Sequence, residues 1–172
     1  MTVDRVADEE DLYRRVPPAS GNSLCYQVDN GRVIFKTGAF NDSAKRPSVD
    51  RATFRQFDPN RTRRTAEDGV VVLRAEAIRK LGPMTQSDDR GKLVSKHLVD
   101  VSPEPIFFSN CSHAEVISQP ELGSSGFKRL KDALVRLANE ASWHVQPQSV
   151  LPRKGIGTML LENLKYFVSR LC

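Results

Sequence analysis

The spacing of apolar and polar side chains changes period several times along the chain. DLYRRVPP reads as a short extended segment ended by Pro17 and Pro18, since proline keeps the residue before it out of the helical region. In CYQVDNGRVIF, Tyr26 and Val28 sit two apart, as do Val33 and Phe35, and DNG supplies the tight reversal of a β-hairpin. SVDRATFRQF alternates in part, through Val49, Thr53 and Phe57, and predicts a further strand or a short helix. Residues 70–73 are all apolar, as in a buried strand. AEAIRKLG then spaces Ala75, Ile78 and Leu81 at three, a short helix closed by Gly82. PMTQSDDRGK reads as a polar loop, and KHLVDVSPEPIFFSN as two short strands about the turn SPEP. In SHAEVI the period is two again: Ser112, Ala114 and Val116 share one face, and His113, Glu115 and Ile117 the other.

From residue 126 the period becomes helical. GFKRLKDALVRLANEASW places Phe127, Leu130, Leu134, Leu137, Ala138 and Ala141 on one stripe. After the interruption QPQSVLPRKGIG, the segment GTMLLENLKYFVSRLC places Leu160, Leu161, Leu164, Phe167, Val168 and Leu171 on a second. The expected fold class is α+β, a small mixed or antiparallel sheet followed by two amphipathic C-terminal helices. The expected organisation is a flexible N-terminus over 1–11, an α+β core over 12–125, and a helical pair over 126–172 packed on that core. Two stripes of this width need burial, and the parent sheet is the nearest surface, with self-association through the helices as the alternative.

Composition narrows the class. A chain of 172 residues is long enough to bury a core without disulfide or metal staples. No apolar run reaches the ~20 residues that cross a bilayer, and the acidic start MTVDRVADEEDLYRR lacks the pattern of a signal peptide, so the chain reads as cytoplasmic. Cys25, Cys111 and Cys172 form no CxxC unit, and their odd number argues against a disulfide framework. The net charge of +5 suits an anionic partner, with RTRR at 61–64 as the densest basic cluster.

The strong catalytic motifs are absent: there is no GxxxxGK[ST] loop, no GxGxxG behind a strand, no HExxH and no GxSxG elbow. The richest chemistry lies in SNCSHAEV, residues 109–116, which reads as the edge of a catalytic site, half of a metal site or a polar turn. Cys111, His113 and Glu115 on one strand face span ~13 Å, too far for all three to reach one ion, so no metal is assigned. His113 and Glu115 lie ~7 Å apart at Cα on one face and are the candidate acid–base pair. Arg14 and Arg51 are candidate phosphate clamps, Ser43 and Ser48 can orient a sugar hydroxyl, and Asp50 adds a second carboxylate. His113 and Glu115 are expected to share a face and to lie within about 10 Å of residues 48–51, because both segments carry the charged and hydroxyl groups that bind phosphorylated ligands.

Two resemblances add expectations. The segments YRRVPP, SVDR and NCSHAE, with Asn110 and residues 113–115, resemble those of a group of small uncharacterised bacterial proteins, which implies no activity. The order of Arg14, Ser48 and Glu115 resembles the arginine, serine and glutamate of ADP-ribosyltransferase-like, NAD-consuming toxin folds. That resemblance implies a site binding a nucleotide or NAD. The chain departs from it where His113 stands two residues before the glutamate and no aromatic-rich segment follows Ser48. The leading reading is a basic interaction module for nucleic acid or an acidic protein. The alternative is an enzyme using His113 and Glu115 on a nucleotide or NAD-like phosphorylated substrate, with no cofactor assigned.

Overall fold

The computed structural model describes residues 4–29, 32–42, 44–87, 93–106 and 109–148. Its strands are β1 (Asp11–Val16), β2 (Ala19–Ser20), β3 (Ser23–Leu24), β4 (Tyr26–Asp29), β5 (Arg32–Phe35), β6 (Ser48–Arg51), β7 (Gly69–Arg74), β8 (Met84–Ser87), β9 (Leu93–Pro103) and β10 (His113–Gln119). The helices are α1 (Ala75–Arg79) and α2 (Ser124–Ala141), with 3₁₀ turns at Thr37–Phe40, Thr53–Arg55 and Pro59–Thr62. Six strands form one antiparallel sheet in the order β7-β1-β6-β10-β9-β8, while β2-β3 and β4-β5 are separate hairpins. The architecture is α+β, as the periodicity predicts.

Alternation sorts the side chains of each strand between two faces. Leu12, Val16, Val49, Val71, Leu73, Val99, Val101, Ala114 and Val116 form the core face. The helix α2 covers it with Phe127, Leu130, Leu134 and Ala138, lying against β7, β5 and the turn at Thr37–Phe40. Leu134 is fully buried and Leu137 half-buried, whereas Ala141, placed on the same stripe by spacing, is exposed at the helix end. The second C-terminal stripe, the segment GIG at 155–157, Ser43 and Cys172 lie outside the described residues.

Beyond α2, Trp143 packs edge-on against Phe35 at 4.5 Å and Tyr26 at 5.2 Å. A Cβ on Gly69 would lie 2.1 Å from its ring, so the close approach requires glycine there. The chain then passes round the free edge of β7, where Val145 bridges Val70.

Three local expectations are corrected. Residues 4–10 are not a loose start: Val6 is 1% exposed, Arg79 donates to its carbonyl at 2.8 Å, and Glu10 is ion-paired to Arg51 at 2.9 Å. Within the expected polar loop, Met84–Ser87 forms β8, because the backbone pairs with β9 from Met84–His97 onward whatever its side chains. The expected pair of short strands begins instead as one strand through Pro103, since Val99 and Val101 keep the alternation that the core face selects. Among the described residues, no helix is long and apolar enough to cross a membrane.

Candidate functional site

The face opposite α2 carries a polar row. Tyr13 of β1 pairs with Asp50 of β6, which pairs with His113 of β10, and Glu115 pairs with Ser48 in the same register. Directly opposed residues of an antiparallel pair project to one face. The SVDR and HAEV segments are therefore strand neighbours, as a shared site requires.

The 3₁₀ turn after β6 folds Arg55 back over this row. Its Nε and Nη2 donate to Asp50 Oδ2 at 3.1 and 2.9 Å, and Nη2 also donates to Asn110 Oδ1 at 3.0 Å. Asn110 Nδ2 donates to Asp50 Oδ1 at 2.9 Å, and Ser112 Oγ donates to Asn110 Oδ1 at 2.6 Å. The SNCS half of the segment thus builds the support of the site. Both Asp50 oxygens are committed to this network, so the carboxylate anchors Arg55 and Asn110.

His113 lines the adjoining cleft. Its Nε2 lies 3.6 Å from Glu115 Oε1, with both side chains mostly buried, and Glu115 meets Arg46 at the same distance on its outer side. That separation is electrostatic contact, just beyond hydrogen-bond range. Burial, then the charges of Asp11 and Asp58, push the Tyr13 phenol above its usual pKa and keep it protonated.

The two arginines proposed as phosphate clamps have other work. Arg14 donates from Nε and Nη2 to Ala39 O at 2.8 and 2.5 Å and from Nη1 to Ser48 O at 2.6 Å, and pairs with Asp42 at 2.9 Å. It ties β1 to the turn at Thr37–Phe40 and to β6. Arg51 follows Asp50 on the strand and so points to the other face, where Glu10 holds it bidentately at 3.0 and 2.9 Å. It does not line the cleft.

The cleft has a volume of about 810 Å³, within the range of ligand sites. Four of the candidate residues line it: Arg14, Ser48, Asp50 and His113. The sequence gives no sign that Arg55 and Thr62 belong to the site, whereas RTRR stands out there as the densest basic cluster, suited to an anionic partner. Arg15 shares Tyr13's face by alternation, which was readable from β1. Arg55 gave no signal, because a 3₁₀ turn rather than strand spacing aims it.

Two buried or capping aspartates set the loop that carries RTRR. Asp58 Oδ1 accepts from the Asn60 N–H at 3.0 Å at the start of the Pro59–Thr62 turn. Asp68, 2% exposed, accepts from the N–H groups of Arg64 and Thr65 at 2.8 and 3.0 Å and from Arg15 Nη1 at 3.4 Å. Between Arg55 and this loop, Gln56 and Phe57 both take left-handed backbone, at φ 54° and 56°. A bulky residue rarely adopts that conformation, and here it leaves Phe57 71% exposed. Trp143, by contrast, is half-buried and packs against Tyr26 and Phe35. No group of three or more His, Cys, Asp or Glu among the described residues is placed to hold a metal ion. Compared with known proteins, the chain matches no family model, no curated protein and no solved structure.

Proposed function

We propose that this domain binds nucleic acid, with the phosphodiester strand in the arginine cleft and Phe57 beside it as a stacking surface. The observation that carries the reading is charge balance. Six arginines line the cleft against two aspartates, and both aspartates are already paired, Asp42 to Arg14 and Asp50 to Arg55. A strand docking there displaces its counterions, and the guanidinium fork matches two phosphate oxygens at once. An exposed ring such as Phe57, carried in the chain between Arg55 and the RTRR loop, accepts any base, because every base has a π-face.

Fluorescence anisotropy with labelled single-stranded and duplex RNA and DNA tests this. The logarithm of affinity should fall linearly with the logarithm of salt between ~50 and ~200 mM, with a slope near −0.7 per phosphate contact on single strands. Absence of binding to all four probes, or a flat salt dependence, removes nucleic acid as the ligand.

A second reading is favoured by His113 in the cleft wall with Glu115 beside it. On that reading the domain is an enzyme acting on a nucleotide or NAD-like phosphorylated substrate. The direct pairing of Glu115 with Ser48 across β10 and β6 supports it, whereas Arg14 is held by Ala39 O and Asp42. His113→Ala and Glu115→Ala should then reduce turnover ~10²–10⁴-fold, the usual contribution of a positioned acid or base, while leaving oligonucleotide affinity unchanged. Turnover equal to wild type in both variants rejects acid–base chemistry at this pair.

A further inference from the structure

Charge alone does not account for one part of the cleft. Thr62 is 7% exposed, lines the cleft, and its buried Oγ1 has no hydrogen-bond partner. Buried hydroxyls are almost always bonded, because burial removes the water that would otherwise satisfy them. On either side in the chain stand Arg61 and Arg64, which also line the cleft. Neither guanidinium has an ion pair or hydrogen bond among the described residues.

The backbone that carries these groups is fixed by Asp58 at one end of the loop and by Asp68 at the other. Arg63, between the arginines that face the cleft unpaired, donates to the carbonyl of Ala66 inside the loop. The frame is thus closed on itself, while an unbonded hydroxyl in the cleft wall and two cationic forks that line the cleft are left without partners. Their common complement is a small group that is anionic, rich in acceptors and without hydrogens of its own.

We infer that Arg61, Thr62 and Arg64 form a seat for a terminal phosphate, the phosphomonoester at the end of a nucleic acid strand. The inference rests on the nucleic-acid reading of the cleft. An internal phosphodiester offers two free oxygens and is flanked by sugars on both sides, which hinders its approach to a hydroxyl in the wall. A monoester has three terminal oxygens, matching the three donors, and is attached to sugar on one side only. Its second negative charge also uses both unpaired arginines.

The test compares one oligonucleotide with a 5′-phosphate, with a 3′-phosphate and with hydroxyls at both ends. Binding is measured by competition against a labelled probe, alongside calorimetry with inorganic phosphate and pyrophosphate. One phosphorylated form should bind at least about tenfold tighter than the hydroxyl form, the effect of one good charge-assisted contact set. Thr62→Val, close in shape, should remove that preference, while Thr62→Ser should keep it. Arg61→Gln serves as the second variant if Thr62→Val does not fold, and the wild-type comparison needs no variant. Equal affinity for all three ends overturns the seat but leaves the nucleic-acid reading standing, as does a preference that survives Thr62→Val. If no oligonucleotide binds but phosphate or pyrophosphate binds wild type and not Thr62→Val, the nucleic-acid reading falls and the seat remains. If nothing binds, both fall.

Discussion

Glutamate at both Arg61 and Arg64 is expected to weaken oligonucleotide binding by about 10²-fold at ~50 mM salt and to flatten the salt dependence. The magnitude follows from counterion release. Each lost phosphate contact lowers the slope by ~0.7–0.9, which at ~50 mM salt corresponds to roughly a tenfold loss, and reversed charge adds repulsion. Because neither side chain has an internal partner, the fold should be untouched, with the unfolding midpoint within a few degrees of wild type. Titration of the double variant at several salt concentrations measures both quantities. Wild-type affinity in R61E/R64E would place the binding surface away from this cleft.

A second large effect concerns stability. Glu10→Ala should lower the unfolding free energy by ~3–5 kcal/mol, the range for breaking a buried ion pair from one side. Arg51 and Glu10 are each 8% exposed at the side chain, and the pair is bidentate. Arg51 also donates to Asp4 O at 3.0 Å and lies 4.9 Å from the Phe54 ring centre, contacts too few to compensate the charge once the carboxylate is gone. Chemical denaturation reads the loss. Replacing both residues with methionine should recover most of it, since no buried charge is then left alone. A loss below ~1 kcal/mol for Glu10→Ala would mean that the pair is solvated rather than buried.

The N-terminal segment illustrates what composition hides. VADEED is acidic enough to read as solvated, yet Glu10 has a buried arginine to meet and Val6 a place in the core. Neither partner is near in sequence, so nothing local marks the segment as ordered. Where structure is set by local pattern, the sequence reading holds: the Tyr26–Asp29 and Arg32–Phe35 hairpin, the Gly69–Arg74 strand leading into α1, the two-fold alternation of β10, and α2. β8 escaped because a polar edge strand is defined by backbone pairing with its neighbour, which the side chains of Met84–Ser87 do not announce.

The site was legible in the same uneven way. That His113 and Glu115 share a face follows from strand geometry, as does the opposite facing of Asp50 and Arg51. Grouping the latter two as one phosphate-binding unit ignored that alternation. The cleft's arginines were visible as letters, but only the return of the Thr53–Arg55 and Pro59–Thr62 turns over the sheet makes them neighbours of Asp50 and His113.

The row Tyr13–Asp50–His113 joins three strands distant in the chain, with β6 between β1 and β10. Such pairings form late, because the entropy of closing long loops must be met before the contacts return anything. No fragment of the chain can therefore hold the cleft; it exists only in the completed fold. Occupancy of the cleft and folding are in consequence one coupled equilibrium. A ligand at a hundred times its dissociation constant adds ~2.7 kcal/mol to the native state, and in a domain of this size each ~1 kcal/mol moves the melting midpoint by ~2–4 °C. Heat resistance is thus a direct gauge of whatever the cleft holds.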